Sequence, residues 1–303
     1  MNKKIPVIID CDPGVDDALA LMLANSKKEL DIKAITTVAG NVGIEYTTKN
    51  ARLVAGLLGM DTIIARGADK PLLVPQIVAS STHGEDGFGG IGELFNEDDL
   101  AKLSEKNAVE TIAKILRESE EKITIIAVGP LTNIATVFLI YPELKEKVEV
   151  LSIMGGSTTV GNRTAKGEFN FLVDPHAAHI VMNLGLPVIL AGLNVTLKDA
   201  YVTDEDVEKM RKINTSVSNV ATEILVAYKS EDPALHDPVS VLAITNPEIM
   251  EMEDMYVNVE TSGLFSEGMT FTDERSHRKP PNNCKVIVNI NRKRFIDELI
   301  SAF

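Results

Sequence analysis

Apolar runs of strand length alternate with amphipathic stretches of helix length along most of this chain. The first run, Ile5-Pro6-Val7-Ile8-Ile9, leads into Asp10-Cys11-Asp12-Pro13-Gly14-Val15-Asp16-Asp17, and a helical pattern starts at Ala18-Leu19-Ala20-Leu21-Met22-Leu23. Strands are predicted over residues 31–38, 62–65, 123–128, 148–154 and 187–190, with strand-like runs over 256–259 and 285–290. Helices are predicted over 44–58, 107–119, 131–139, from Asp174 onward, and over 203–228, 236–243 and 292–300. Such alternation is the pattern of βαβ units in a parallel sheet. The expected fold is α/β: a single domain over 1–303, with a Rossmann-like, mostly parallel open sheet and helices on both faces. In such sheets ligands bind at the carboxyl ends of the strands. Polar or glycine-rich stretches follow the first, second, fourth and fifth strands, so the aspartates, Asn41, the turn after Val128 and the 157–170 loop should meet at one edge. The long loop 67–92, which carries His83, is a candidate lid or binding loop.

Composition narrows the function classes. The 303 residues are 45% hydrophobic, which suits a large globular α/β domain, and 44 acidic residues outnumber 30 basic ones for a net charge of -14. With no basic surplus to neutralise phosphates, neither nucleic acid nor an anionic membrane surface is expected as a partner. No apolar run approaches the ~20 residues that span a bilayer, and Asn2-Lys3-Lys4 leads into a run too short for a secretory signal. Cys11 and Cys284 read as reduced thiols of a cytoplasmic protein.

The chemistry concentrates in the N-terminal turn. Asp10, Asp12, Asp16 and Asp17 are four carboxylates at the end of a buried strand, and their mutual repulsion must be relieved by a cation, by bound protons or by water. Oxygen-only donors favour a hard divalent cation, Ca²⁺ or Mg²⁺, over zinc. The same acids would also suit the first turn of a helix with no ion bound. His236-Asp237-Pro238 offers a distant carboxylate and an acid near neutral pH, and reads equally as a helix start with proline in its first turn. Glu168-Phe169-Asn170 is either a polar clamp around one aromatic ring or an ordinary solvated loop. Cys11, set between two aspartates, is a poor nucleophile.

Taken in order, Asp10-Cys11-Asp12-Pro13-Gly14-Val15-Asp16-Asp17, Thr36-Thr37-Val38-Ala39-Gly40-Asn41, Gly129-Pro130-Leu131-Thr132-Asn133, Met154-Gly155-Gly156, Glu168-Phe169-Asn170 with Asp174-Pro175, and His236-Asp237-Pro238 resemble the inosine/uridine-type nucleoside hydrolases across most of the chain. The resemblance implies an N-ribohydrolase of nucleoside catabolism or salvage, dependent on Ca²⁺, acting on a small ribonucleoside and assembled as a homodimer or homotetramer. It implies Asp12, Asp17, Asp237 and the Val128 carbonyl as metal ligands, Asp16 as general base on the attacking water, and Asp10 as a support orienting the turn. Asn41 and Asn170 would bind the ribose hydroxyls, Asn162 and Glu168 the 5′-hydroxyl, and His236 would protonate the leaving base. Met154 and His83 complete the expected substrate contacts. The family pattern usually has threonine where Val128 stands, but only a carbonyl is needed there. Tyr228 resembles pyrimidine-preferring members, although Ile224 stands where an accompanying glutamine is expected, so a pyrimidine preference is set against purine or mixed specificity. Two rivals are a phosphotransferase of the haloacid-dehalogenase type, which also uses a strand-end Asp-x-Asp, and a nucleoside sensor without turnover.

Overall fold

The computed structural model describes residues 3–90, 92–229, 231–275 and 277–303. Its strands are β1 (Ile5–Cys11), β2 (Leu30–Thr37), β3 (Ile63–Arg66), β4 (Ile123–Ala127), β5 (Val148–Met154), β6 (Val188–Ala191), β7 (Met250–Met255), β8 (Val257–Val259), β9 (Thr270–Thr272) and β10 (Cys284–Ile290). Eight of them form one sheet in the order β3-β2-β1-β4-β5-β6-β10-β7, while β8 and β9 make a separate antiparallel pair. Every neighbour in the large sheet runs parallel except the edge pair β10 and β7. The mostly parallel sheet expected from the alternation is therefore present.

The chain leaves β1 toward β2 and β3, then returns to lay β4, β5 and β6 on the other side. That reversal makes the gap between the carboxyl ends of β1 and β4 the topological switch point, where the crossovers diverge and leave room for a ligand. Asp10 sits at this edge, paired across β2 with Thr36 and across β4 with Ala127.

Apolar packing covers both faces. Val7, Ile9 and Cys11 of β1 face one buried cluster and Ile8 faces the other, as strand alternation requires. Helix Val15–Ser26 is buried from Val15 to Ala24 and packs against helix Asp237–Thr245, which is itself buried from Asp237 to Ala243. Beyond their acidic first turns both helices are mostly apolar on every side because they lie inside the molecule.

Several boundaries differ from the pattern reading, each for a local reason. Helix Val15–Ser26 starts three residues earlier than its apolar run, because the Asp17 carboxylate takes up the Gly14 amide and so closes the first turn. The expected helix 203–228 is two helices, Asp204–Arg211 and Ser216–Lys229. Asn214 breaks it with φ of 55°, and Thr215 and Ser218 cap the second piece by exchanging side-chain and amide hydrogen bonds at 2.8 and 3.0 Å. Helix Leu193–Asp199 and strand β7 were not anticipated. β7 reads Met-Glu-Met-Glu-Asp-Met, with its Glu251, Glu253 and Asp254 exposed on a sheet edge, where charge discourages pairing with another chain. The 67–92 segment holds one helical turn, Ser80–His83.

Candidate active site

The floor of the site is the turn between β1 and helix Val15–Ser26. Asp17, in the first turn of that helix, accepts the amides of Asp12 and Gly14 at 3.0 Å each and the Asn41 side-chain amide at 3.0 Å. Asp12 is clamped by the Asn41 backbone amide at 2.7 Å, in a slot where a Cβ on Gly40 or Gly129 would collide with its carboxylate. Its second oxygen, Oδ1, is buried and has no partner. Asp10 lies beside this turn, accepting from the Thr36 hydroxyl and, at 2.9 Å, from Asn133 Nδ2. Asn133 also holds the Thr37 carbonyl and the Ala68 amide, so Asp10 belongs to the strap that ties β1, β2 and the turn after β4.

Asp237 enters from the far end of the chain, as the first residue of the helix that packs on Val15–Ser26. Its carboxyl comes close to that of Asp17. Oxygens of Asp16, Asp17 and Asp237 lie within 4.8 Å of one another, all buried, in a group able to hold a metal ion. Both helices point their amino termini here, where the backbone dipole favours negative charge. That field does not compensate for burial. Asp16 is pushed up to about 7 by burial and then by the Asp17 charge; Asp12, Asp17 and Asp237 are all raised, foremost by burial. Asp10 is raised to about 7 by burial against the pull of Thr36 and Asn133. A divalent cation relieves such a cluster, and the donors here are all oxygens, as a hard ion requires. The unpartnered Asp12 Oδ1 is a further oxygen in search of a positive charge.

Above this floor opens a cavity of about 210 Å³. Every anticipated site residue lines it except Asp10, Asp12 and Asp17, which lie beneath. Val128 O, the expected carbonyl ligand, accepts from Asn170 Nδ2 at 2.8 Å, and the same amide reaches Met154 O at 3.2 Å. Asn170 therefore fastens the ends of β4 and β5 to the short helix Phe169–Val173. Glu168 caps that helix, accepting the amides of Gly156, Asn170 and Phe171 at 2.8, 2.9 and 3.1 Å. Asn162 Oδ1 accepts the Phe169 amide at 3.0 Å, so the 157–170 loop is folded back on itself at the rim.

Two aromatic side chains and a second histidine form the remaining wall. His83 stacks on Tyr228 with ring centroids 5.3 Å apart, and its Nδ1 accepts the Val15 amide at 3.4 Å. Burial, reinforced by nearby His236, lowers His83 to about 4, so its imidazole is neutral with the proton on Nε2. His236 is fixed at both nitrogens: Nδ1 lies 2.7 Å from the Thr196 hydroxyl and Nε2 3.2 Å from Asp232. Burial opposes charge on the His236 ring, but the Asp232 and Asp16 carboxylates prevail and raise it.

Asp232 and Thr196 are the residues that the pattern reading missed. Asp232 stands four positions before His236 in an irregular connection, and an acid this near in the sequence was the available signal. Thr196 lay in the unpredicted helix Leu193–Asp199 and gave none.

A doubly wound sheet with an acid cluster and a polar cavity at its switch point defines a small-molecule enzyme of the α/β class, and the comparisons specify it. The family model "Inosine-uridine preferring nucleoside hydrolase" matches residues 7–297, so the chain belongs to the inosine-uridine preferring nucleoside hydrolase family. It is 41% identical over 304 residues to the pyrimidine-specific ribonucleoside hydrolase RihA of Photobacterium profundum, covering 97% of both chains, and 41% identical over 305 residues to that of Salmonella typhimurium, again covering 97% of each. Its structure superposes on the purine-preferring ribonucleoside hydrolase of Gardnerella vaginalis with a TM-score of 0.89 at 28% identity, covering 98% of this chain and 97% of that one. The protein is a ribonucleoside hydrolase, which removes the phosphotransferase and the non-catalytic sensor as readings. Among the described residues no helix is long and apolar enough to cross a membrane.

Proposed function

We propose that this hydrolase depends on Ca²⁺ and prefers pyrimidine ribonucleosides, releasing the free base and ribose. The observation that carries the proposal is the buried triplet Asp16, Asp17 and Asp237 beneath a cavity walled by Asn41, Asn170, Glu168 and His236. Asp17, Asp237, Asp12 and the Val128 carbonyl are the residues that would hold the cation. Bound there, Ca²⁺ would lower the pKa of the attacking water and fix the ribose diol.

The chain's own groups do the rest. Asp16 lines the cavity beside the Asp17 and Asp237 carboxylates, and takes the proton of the attacking water as general base. Cleaving the N-glycosidic bond builds positive charge on the ribose ring, as in other oxocarbenium-like transition states. The surrounding carboxylates stabilise that charge without having to reorganise. Asn41 and Asn170 hold the ribose hydroxyls. Among the described residues Glu168 Oε1 accepts the Asn170 amide alone, which leaves a lone pair for the 5′-hydroxyl beside Asn162. His236 donates a proton to the departing base, and Asp10 keeps the turn in register through Thr36 and Asn133.

Pyrimidine preference is supported by the 41% identical relatives named pyrimidine-specific, against a purine-preferring structure at 28%. Tyr228 stacked on His83 and a cavity of about 210 Å³, smaller than the ~300 Å³ lower bound usual for drug-sized ligands, suit a one-ring base. Buried free thiols at Cys11 and Cys284 support a reducing, cytoplasmic setting. Leu264 and Phe265, 89% and 86% exposed, support assembly as a homodimer or homotetramer that covers them. The test is base release from uridine, cytidine, inosine and adenosine with Ca²⁺ and after chelation. Faster turnover of the purines, or full activity in chelator, would overturn the respective half of the proposal.

A further inference from the structure

Asp232 is a cavity-lining carboxylate outside the acid cluster on the floor. It stands on the wall with Tyr228, His83 and His236, and its side chain keeps 21% of its surface open. Its oxygens are held in place from behind: Oδ1 accepts the Ala234 amide at 2.9 Å and Oδ2 accepts His236 Nε2–H at 3.2 Å. With His236 fixed in turn by Thr196, neither side chain is free to swing away. Each carboxylate oxygen retains a lone pair, and an ionised carboxylate can only accept. Burial opposes that charge, but the hydrogen bond and charge of His236 together with the Ala234 amide outweigh it and hold Asp232 below the usual carboxylate range.

A pyrimidine nucleoside presents its 2-carbonyl and then N3 along the edge next to the glycosidic nitrogen. Placed with that edge toward this wall, the base would set its 2-carbonyl at His236 and N3 at the neighbouring Asp232, whose carboxylate lies 3.2 Å from the His236 ring nitrogen. In uracil N3 carries a hydrogen; in cytosine it is a bare lone pair. We propose that Asp232 accepts the N3–H of a uracil-type base and is the residue that sets uridine above cytidine. This rests on the pyrimidine reading above. The physical basis is asymmetric: a matched N–H gains a charge-assisted hydrogen bond, whereas a lone pair against the carboxylate leaves two acceptors facing each other in a confined site.

The test is kcat/KM of the full chain with Ca²⁺ on uridine, cytidine, 3-methyluridine, inosine and p-nitrophenyl riboside, for the wild type and D232N. The wild type should favour uridine over both cytidine and 3-methyluridine by about tenfold or more, a modest share of what sites built around one hydrogen bond achieve. In D232N, whose amide can donate to N3 of cytosine, the uridine-to-cytidine ratio should fall at least about tenfold. An equal fall on uridine and cytidine with the ratio unchanged would overturn the proposal: with p-nitrophenyl riboside spared it means that Asp232 only positions His236, and with p-nitrophenyl riboside falling alike it means a general loss of the site. Equal wild-type rates on uridine and 3-methyluridine would overturn it without any variant. A wild type fastest on inosine would overturn the pyrimidine reading, and this assignment with it.

Discussion

Asp17 and Asp237 lie side by side and would share a cation, yet the fold uses them differently, and stability measured with and without Ca²⁺ separates the two uses. Asp17 accepts two backbone amides and one side-chain amide in the buried turn. Asp17→Ala leaves the Asp12 and Gly14 N–H groups unpaired, at about 1–3 kcal/mol each, so chelated protein should lose about 2–6 kcal/mol. Among the described residues Asp237 accepts no backbone amide, and its carboxyl is buried among Asp16, Asp17 and Asp12. Asp237→Asn removes an ionisable group from that cluster and should be neutral or stabilising in chelator. Added Ca²⁺ at about 100 times its Kd should raise wild-type stability by about 2.7 kcal/mol. At roughly 2–4 °C per kcal/mol for a sizeable domain, that is a Tm rise of about 5–10 °C, and both variants should lose most of it. Scanning calorimetry of the wild type and both variants in EDTA and in Ca²⁺ reads all six stabilities. Asp17→Ala as stable as the wild type in EDTA, or a Ca²⁺ shift undiminished in Asp237→Asn, would refute the reasoning.

Other outcomes follow from the same geometry. Asp16→Ala should cut turnover at least ~100-fold with folding intact, and near-full activity would remove it as the base. His236→Ala should slow natural nucleosides far more than p-nitrophenyl riboside, whose leaving group needs no proton; equal losses on both would end the leaving-group role. Gly40→Ala, whose new methyl would press on the Asp12 carboxylate and on Pro130, should weaken Ca²⁺ binding in a titration and cost about 1–3 kcal/mol of stability. At the periphery, burial works against the Asp206 carboxylate, but Thr203 and Arg292 outweigh it and hold it below the usual range. Its stabilising contribution is therefore complete above the unfolded pKa of ~3.9 and is lost as pH falls through the lower folded value. Asp206→Ala should cost about 1 kcal/mol at neutral pH, in keeping with a lost helix cap, and the difference from wild type should vanish in strongly acidic urea titrations.

What the sequence determined by itself was whatever depends on neighbours a few residues apart. The strand-then-helix alternation is a matter of side-chain period, and it specified a parallel sheet with its site at the strand ends. The N-terminal turn is equally local, since Asp17 closes it on amides three and five residues away. The run 203–228 shows where period fails: its apolar spacing continues through residue 214, but Asn214 turns left-handed and Thr215 restarts the helix. Strand β7 was hidden because its acids suit an exposed edge that only sheet order reveals. The site itself needed the tertiary structure at two points. Asp237 joins Asp17 across 220 residues because two helices, mostly apolar beyond their acidic first turns, must bury their faces and do so against each other, amino termini together. Asp232 and Thr196 meet at His236 for a similar reason, since a buried imidazole needs a partner at each nitrogen and the packing of distant segments decides which groups are there to supply them.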